Sequence, residues 1–193
     1  MENFWDKRYA GADYLFGTKP AAGLIALEPQ LVAGGETLVL ADGEGRNSVY
    51  LASRGYDVRA TDYSQVAQVK AKVLAKEASV DVDFVLSDIY DTGWSDEAYD
   101  NVVAIFIQFV PPERMGEIFT ALALARATRA GGTLLIHGYT PEQVALGTGG
   151  PGNPNHMYNP ICRPRRFRIC RLRLTAPITP PWTKAAAIPA HHP

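Results

Sequence analysis

Between residues 36 and 137 the chain switches repeatedly from short, apolar, β-prone runs to helix-length amphipathic ones, and that alternation constrains its fold more than any other feature. A first strand is expected at Glu36–Leu40, just after Gly34-Gly35. Ser48–Arg54 follows as a helix with Val49, Leu51 and Ala52 on one face, stopped by Gly55. Tyr56–Thr61 reads as the second strand. Ser64 is suited to cap a long helix over Gln65–Ala78, with Val66, Val69, Val73 and Leu74 as its apolar stripe and Lys70, Lys72 and Lys76 facing solvent. Val82–Leu86 is the third strand. Asp100–Phe106, apolar without alternation, is a fourth strand covered on both faces. Glu113–Ala127 has a helical pattern that Gly131-Gly132 breaks, and Thr133–His137 is the fifth strand. This order predicts an α/β domain: a doubly wound, mostly parallel sheet with helices on both faces and right-handed crossovers.

In such a sheet, ligands lie beyond the carboxyl ends of the strands, so the residues that follow each strand matter most. After the first come Ala41-Asp42-Gly43-Glu44-Gly45-Arg46-Asn47. Gly43 and Gly45 suit a tight turn that a ligand can approach closely, and the next helix aims unpaired N–H groups into the crevice. Nineteen residues beyond Gly43 stands Asp62, able to accept from both ribose hydroxyls of an adenosine ligand. Asp88 follows the third strand, suited to an adenine amino group, with Ile89 beside it to pack on the ring. Each has a plainer use alone: the turn as a connection, Asp62 as a helix cap, Asp88 as a solvated loop residue. Glycine, acid and acid at three successive strand ends favour the ligand. A nicotinamide-dependent oxidoreductase shares the glycine turn and later acid, but here Ser48 holds its third glycine position and Asp88 has no standard role. The later GTGGPGNP lacks the Gly-Lys-Ser/Thr of a phosphate-binding loop and reads as a mobile loop.

The stretch LVLADGEGRNSVYLASRGYDVRATDYS resembles the first two motifs of class I S-adenosylmethionine-dependent methyltransferases. Its GEGRN form is typical of the branch that includes tellurite-resistance and thiopurine methyltransferase-like proteins. The likeness continues through FVLSDIYD, YDNVVAIFIQFVPPERM and AGGTLLIHGYTPEQVALGTGGP, and includes the leading FWDKRYAGADYLFGTKP, so that it spans residues 4–151. Val39 and Ala41 stand where the family often has an acid and a glycine; Ala41 suits its place if its φ is negative, and Asp42 offers a carboxylate to the methionine end of the cofactor. The resemblance implies a Rossmann-like fold, S-adenosyl-L-methionine as cofactor, and in-line methyl transfer to a small-molecule acceptor. The cofactor site it implies comprises Gly43, Gly45, Arg46, Asn47, Asp62, Tyr63, Asp88, Ile89 and Ile105. In it Gly43 and Gly45 approach the methionine moiety, Arg46 and Asn47 stand at the helix entrance, and Asp62 holds the ribose. Asp88 and Ile89 hold adenine, while Ile105 and Phe106 lie near the transferring methyl. Trp5, Tyr9, Tyr14 and Phe16 suit a lid, or equally a helix docked by aromatic packing. Most of the rate in such a reaction comes from positioning and desolvation. No residue stands out as general base: His137 ends the fifth strand and suits packing as well as substrate contact. A soft sulfur, selenium or tellurium nucleophile needs none.

Length and composition fit one globular domain, with 47% hydrophobic and 20% charged residues. A polar N-terminus and the lack of an 18-residue apolar run point to a cytoplasmic protein without a membrane partner. Charge is distributed unevenly. Twelve basic and twenty acidic residues up to Glu142 leave −8, whereas the remainder has seven basic and no acidic residues. Nine of the 14 prolines also lie at or after Pro151. Residues 1–158 are therefore expected to form the domain and 159–193 an anomalous tail. Phe167–Leu174 alternates apolar residues with arginine and suits one exposed strand, so the closing strand pair of the fold is expected to be missing or irregular. Six arginines within 163–173 have the sign for nucleic acid, but a shifted reading frame near residue 160 accounts for the tail better. Read from the last base of each codon, the stretch from Trp182 permits VDEGRGHSG, which looks like the closing motif of the same family. On that reading Cys162, Cys170, His191 and His192 are incidental, nucleic acid is not a partner and no metal is held. A chain that binds cofactor without turnover is the non-enzyme alternative.

Overall fold

In a computed structural model the described residues are 4–91, 98–114, 127–147 and 149–158, with the backbone of 170–172. The elements in chain order are α1 (Phe4–Tyr9), α2 (Ala22–Leu27), β1 (Glu36–Leu40), α3 (Arg46–Ser53), β2 (Asp57–Asp62), α4 (Gln65–Glu77), β3 (Asp83–Leu86), β4 (Tyr99–Ile105), β5 (Thr128–His137), α5 (Glu142–Leu146) and β6 (Cys170–Leu172). The strands form one sheet in the order β3-β2-β1-β4-β5-β6, and every pairing is parallel. The helix expected at Glu113–Ala127 falls mostly on 115–126, outside the described residues, as do Cys162, His191 and His192. No helix among the described residues is long and apolar enough to cross a membrane.

Alternation along β1 assigns its side chains to two cores. Val39 joins Leu24, Leu27, Leu51, Val58, Val103 and Leu135 on the face covered by α2 and α3. Leu38 and Leu40 join Val102, Ala104, Ile107, Val110, Ile136 and Tyr158 on the other. A strand buried on both faces cannot alternate polar with apolar residues, which is why β4 reads as a continuous apolar run. Its fully buried polar residue, Asn101, is satisfied by Val32 and Thr37.

Three local expectations are corrected. The helix expected from Ser48 begins at Arg46, because Gly45 at φ +90° turns the chain straight into it. The face of α4 that packs inward is Ala67, Gln68, Ala71, Leu74 and Ala75, while Val69 and Val73 are 59% and 47% exposed. Close packing explains this: a Cβ on Gly45 would lie 2.8 Å from Ala71 Cβ and 2.9 Å from its Cα, so only small side chains fit that contact. Lastly, β5 starts at Thr128 rather than Thr133. Gly131-Gly132 lies inside the strand, opposite a shift of register between Tyr99 and Asn101, as in a bulge, and does not end a helix there. Of the closing strand pair, the described residues contain β6, paired through Leu134↔Cys170 to Ile136↔Leu172.

Candidate functional site

The strand order reverses between β1 and β4, and a crevice for a ligand is expected beyond their carboxyl ends. The turn after β1 is built to hold one conformation. Asp42 N donates to Thr61 O across to β2, and Asp62 Oδ2 accepts from Gly43 N at 2.8 Å. Asp62 Oδ1 accepts from Ser64 N at 2.8 Å, so one carboxylate ties the β1 turn to the start of α4. The cap at Ser64 is its own hydroxyl, which accepts from Ala67 N. Asp62 therefore performs a structural task at the position expected for ribose, with lone pairs left to accept more. Burial raises its pKa above the ordinary carboxylate value, opposed by those backbone N–H groups.

Asp42 is buried more deeply. Its Oδ2 accepts from Ser48 Oγ at 2.5 Å and its Oδ1 from Ser48 N at 3.3 Å. Desolvation lifts its pKa to about 6, and the nearby charge of Asp62 adds to that. The residue before it corrects a sequence expectation: Ala41 has φ +48°, the left-handed conformation that a glycine would adopt without strain. Gly43, at φ +65°, lies under Tyr9, whose hydroxyl is 2.8 Å from the place of a Cβ. Gly45, the N-cap of α3, has no side chain to cap with; Asp42 takes the N–H of Ser48 instead, which leaves those of Arg46 and Asn47 at the start of the helix.

The N-terminal segment covers this turn through several contacts. Asp6 accepts from Ser64 Oγ at 2.6 Å and from Val66 N at 3.4 Å. Leu15 N donates to Glu44 Oε2 at 2.7 Å, and Lys70 bridges Glu44 Oε1 and Asp13 O. Arg46 donates to Phe16 O, with its guanidinium over the Phe16 ring. Burial lowers the pKa of Arg46, and the nearby Asp42, Tyr139, Tyr9 and Glu44 oppose that by raising it. Trp5 stacks on Tyr9 and meets Phe109 edge-on, joining α1 to the loop after β4. Tyr14 donates to Lys70 O on α4. Of the four aromatic residues singled out in the sequence, Trp5 and Phe16 pack on Tyr9, which covers Gly43, while Tyr14 packs on α4.

The other expected site residues are dispersed around it. Asn47 is buried and its carbonyl accepts from Ala21 N, directed to the start of α2. Tyr63 is half exposed. Asp88 Oδ1 accepts from Tyr90 N in a local turn beyond β3, and Ile89 is buried in the core cluster of Leu38 and Leu40. Ile105 is buried on the α2 face, and Phe106 after it takes φ +58°, a strained conformation for an aromatic residue. His137 is 3% exposed, its ring 2.4–2.6 Å from where a Cβ on Gly23 would sit, and its Nδ1 has no hydrogen-bond partner among the described residues. Burial lowers its pKa, which describes a neutral, packed histidine under α2.

Two residues at the crevice were not singled out from sequence. Tyr139, two residues past β5, stacks on Phe106 with centroids 4.7 Å apart. Gln108, buried to 1%, bonds to both backbone groups of Tyr139. The one signal was a polar residue inside the apolar run IFIQFV. Within the stretch GTGGPGNP, Gly149 and Gly150 lie against the Tyr139 ring, and beyond it His156 and Tyr158 bond to Gln108 and Tyr139.

Comparison with known proteins gives a family and a fold. The profile of the tellurite resistance protein TehB matches residues 2–144. Hemagglutinin 1 from Eikenella corrodens is 35% identical over 111 residues, 55% of this chain and 35% of that protein. A structure reported for the conversion of a disulfide bond into a thioacetal group during echinomycin biosynthesis is 29% identical, with a TM-score of 0.60 over 70% of this chain and 58% of that one. TehB from Haemophilus influenzae shares the fold at 24% identity and a TM-score of 0.53, over 70% of this chain and 44% of the other. The chain therefore spans about a third of the curated relative and roughly half of the solved structures.

Proposed function

This chain belongs to the tellurite resistance protein TehB family, and from that premise we propose that it transfers the methyl group of S-adenosylmethionine to a small soft nucleophile of sulfur, selenium or tellurium. The observation that carries the reading is the bond from Gly43 N to Asp62 at 2.8 Å, which joins a glycine turn and an acid at the reversal of strand order. The residues there fit this cofactor. The Arg46 side chain and the N–H groups of Arg46 and Asn47 at the start of α3 suit an amino-acid carboxylate, and Asp42 suits its ammonium. Asp62 has acceptor capacity left for ribose hydroxyls, with Asp88 and Ile89 on the adenine side. When bound, the cofactor supplies a methyl group on a positively charged sulfur, already activated for displacement. The chain's own task is then to bind, orient and exclude water. Tyr9 and Trp5 roof the turn, and Phe106 with Tyr139 forms an apolar wall on the acceptor side. His137 is packed under Gly23, which makes it a poor proton acceptor and favours a nucleophile that needs none. The sulfur chemistry named for the echinomycin-pathway neighbour supports the same acceptor class.

Calorimetry with S-adenosylmethionine and with NAD, followed by methylation assays on thiols, selenite and tellurite, tests this. Cofactor binding with turnover of at least one acceptor is expected. Preference for NAD would overturn the cofactor reading, and binding without turnover across the panel would leave a cofactor-binding chain that is not an enzyme.

We further propose that residues 1–158 form the functional domain and that 159–193 are read out of frame. The family match ends at residue 144, and the acid-free, proline-rich composition begins at nearly the same place. The coding DNA decides it: stop codons in the alternative frame, or no closing motif near residue 182, would refute the idea.

A further inference from the structure

We propose that Gln108 is the positioning residue of the acceptor side, holding the wall formed by Tyr139 and Phe106. The inference rests on the methyl-transfer reading above. Gln108 follows β4, and both ends of its side-chain amide are committed. Its Oε1 accepts from Tyr139 N at 2.6 Å, and its Nε2 donates to Tyr139 O at 2.8 Å and to His156 O at 3.2 Å. Its backbone carbonyl accepts from His156 Nδ1 at 3.0 Å. Tyr158 N donates to the same Tyr139 carbonyl at 3.0 Å. One buried amide thus joins three segments: the loop after β4, the loop after β5 and residues 153–158.

The Tyr139 ring is confined by two neighbours. Phe106 stacks on it at 26°, and a Cβ on Gly150 would lie 2.6 Å from the ring on the side of the 149–150 backbone. Phe106 is in turn held at φ +58°, its N–H donating to His137 O at 2.8 Å. A strained residue persists only where its surroundings over-determine it. Here the stack with Tyr139 does so, and Gln108 is what fixes the Tyr139 backbone. The link is specific to an amide: an acceptor must face Tyr139 N while a donor faces Tyr139 O. Only a side chain with both can do this.

The test uses the full chain with S-adenosylmethionine, thiophenol as acceptor, and the variants Gln108→Leu and Gln108→Glu. Amide hydrogen exchange at Tyr139 reads the positioning directly. Gln108→Leu is expected to speed that exchange about tenfold or more while Leu135, in the middle of β5, stays protected. Cofactor affinity should stay within roughly twofold, and kcat/KM for thiophenol should fall about tenfold to a hundredfold. Gln108→Glu keeps the acceptor for Tyr139 N but, when ionised, loses the donors. Its kcat/KM should recover as pH falls and the glutamic acid regains a proton to donate, a profile that the wild type lacks.

Unchanged exchange at Tyr139 in Gln108→Leu would overturn the inference whatever the activity. So would a loss of cofactor affinity as large as the loss in kcat/KM, or a Gln108→Glu profile parallel to the wild type. If the wild type binds cofactor yet never methylates thiophenol, selenite or tellurite, the functional reading fails separately. The exchange and cofactor-affinity measurements still decide whether Gln108 holds the wall.

Discussion

Replacing Asp42 by asparagine should change stability in opposite directions at high and low pH. In the folded chain its carboxyl has a pKa of about 6 against an ordinary value of 3.8, with burial as the main cause. A raised carboxyl pKa stabilises the fold while the group is protonated, and that stability is lost as pH rises through the folded value. The shift amounts to about 3 kcal/mol lost between about pH 4 and pH 6. Asparagine removes this dependence. Its carbonyl can still accept from Ser48 Oγ, but its NH2 faces Ser48 N, where the carboxylate accepts at 3.3 Å, so about 1 kcal/mol is lost at every pH. The variant should thus be more stable than wild type by about 2 kcal/mol near pH 7.5, less stable by about 1 kcal/mol near pH 3.5, and equal to it near pH 4.5. Urea unfolding of both proteins across this range measures the difference, which cancels the titration of groups common to both. At neutral pH it corresponds to a rise in Tm of about 5 °C for a domain of this size. A difference that does not vary with pH would refute the reasoning. The gain in stability should come with weaker S-adenosylmethionine binding, since the proposed partner of the cofactor ammonium is gone.

Ala41→Gly relieves the left-handed backbone at φ +48° and should raise stability by about 0.5 kcal/mol in denaturant titration, the strain relieved exceeding the flexibility gained by the unfolded chain; a loss of stability would argue against strain at this position. Gly23→Ala should do the reverse of what helix propensity suggests. Its methyl would fall 2.4 Å from the buried His137 ring, so a loss of about 1–3 kcal/mol and a lower Tm are expected, and a rise in Tm would disprove the contact. Asp62→Ala should fold but lose about 1–3 kcal/mol, because Gly43 N and Ser64 N lose their acceptor, and calorimetry should find S-adenosylmethionine affinity reduced about tenfold or more. Unchanged affinity would remove Asp62 from the ribose role.

The sequence by itself determined the layer architecture and the strand ends beyond which a crevice is expected. Both follow from short-range patterns: runs apolar on both faces, glycines where the chain must turn, and acids at strand ends, all of which local chemistry dictates. Glu36–Leu40 was legible residue for residue, and Gly43 and Asp62 were found without reference to tertiary contacts. Which face of α4 packs inward was not legible, since Val66, Val69 and Val73 make the more apolar stripe. Only the close approach of Gly45 to Ala71 selects the alanine face. The extent of β5 was hidden likewise, because Gly131-Gly132 signals a break unless a neighbouring strand is there to pair across the bulge. Ala41 suits its place without strain only at negative φ, but the bonds that join the turn to β2 hold it at +48°. The same holds for the acceptor side. Gln108, Tyr139 and His156 are separated by 31 and 17 residues in the chain, and each is unremarkable alone. They meet because β4 and β5 end side by side, and hydrogen bonding between residues so far apart in sequence exists only once the sheet has brought them together.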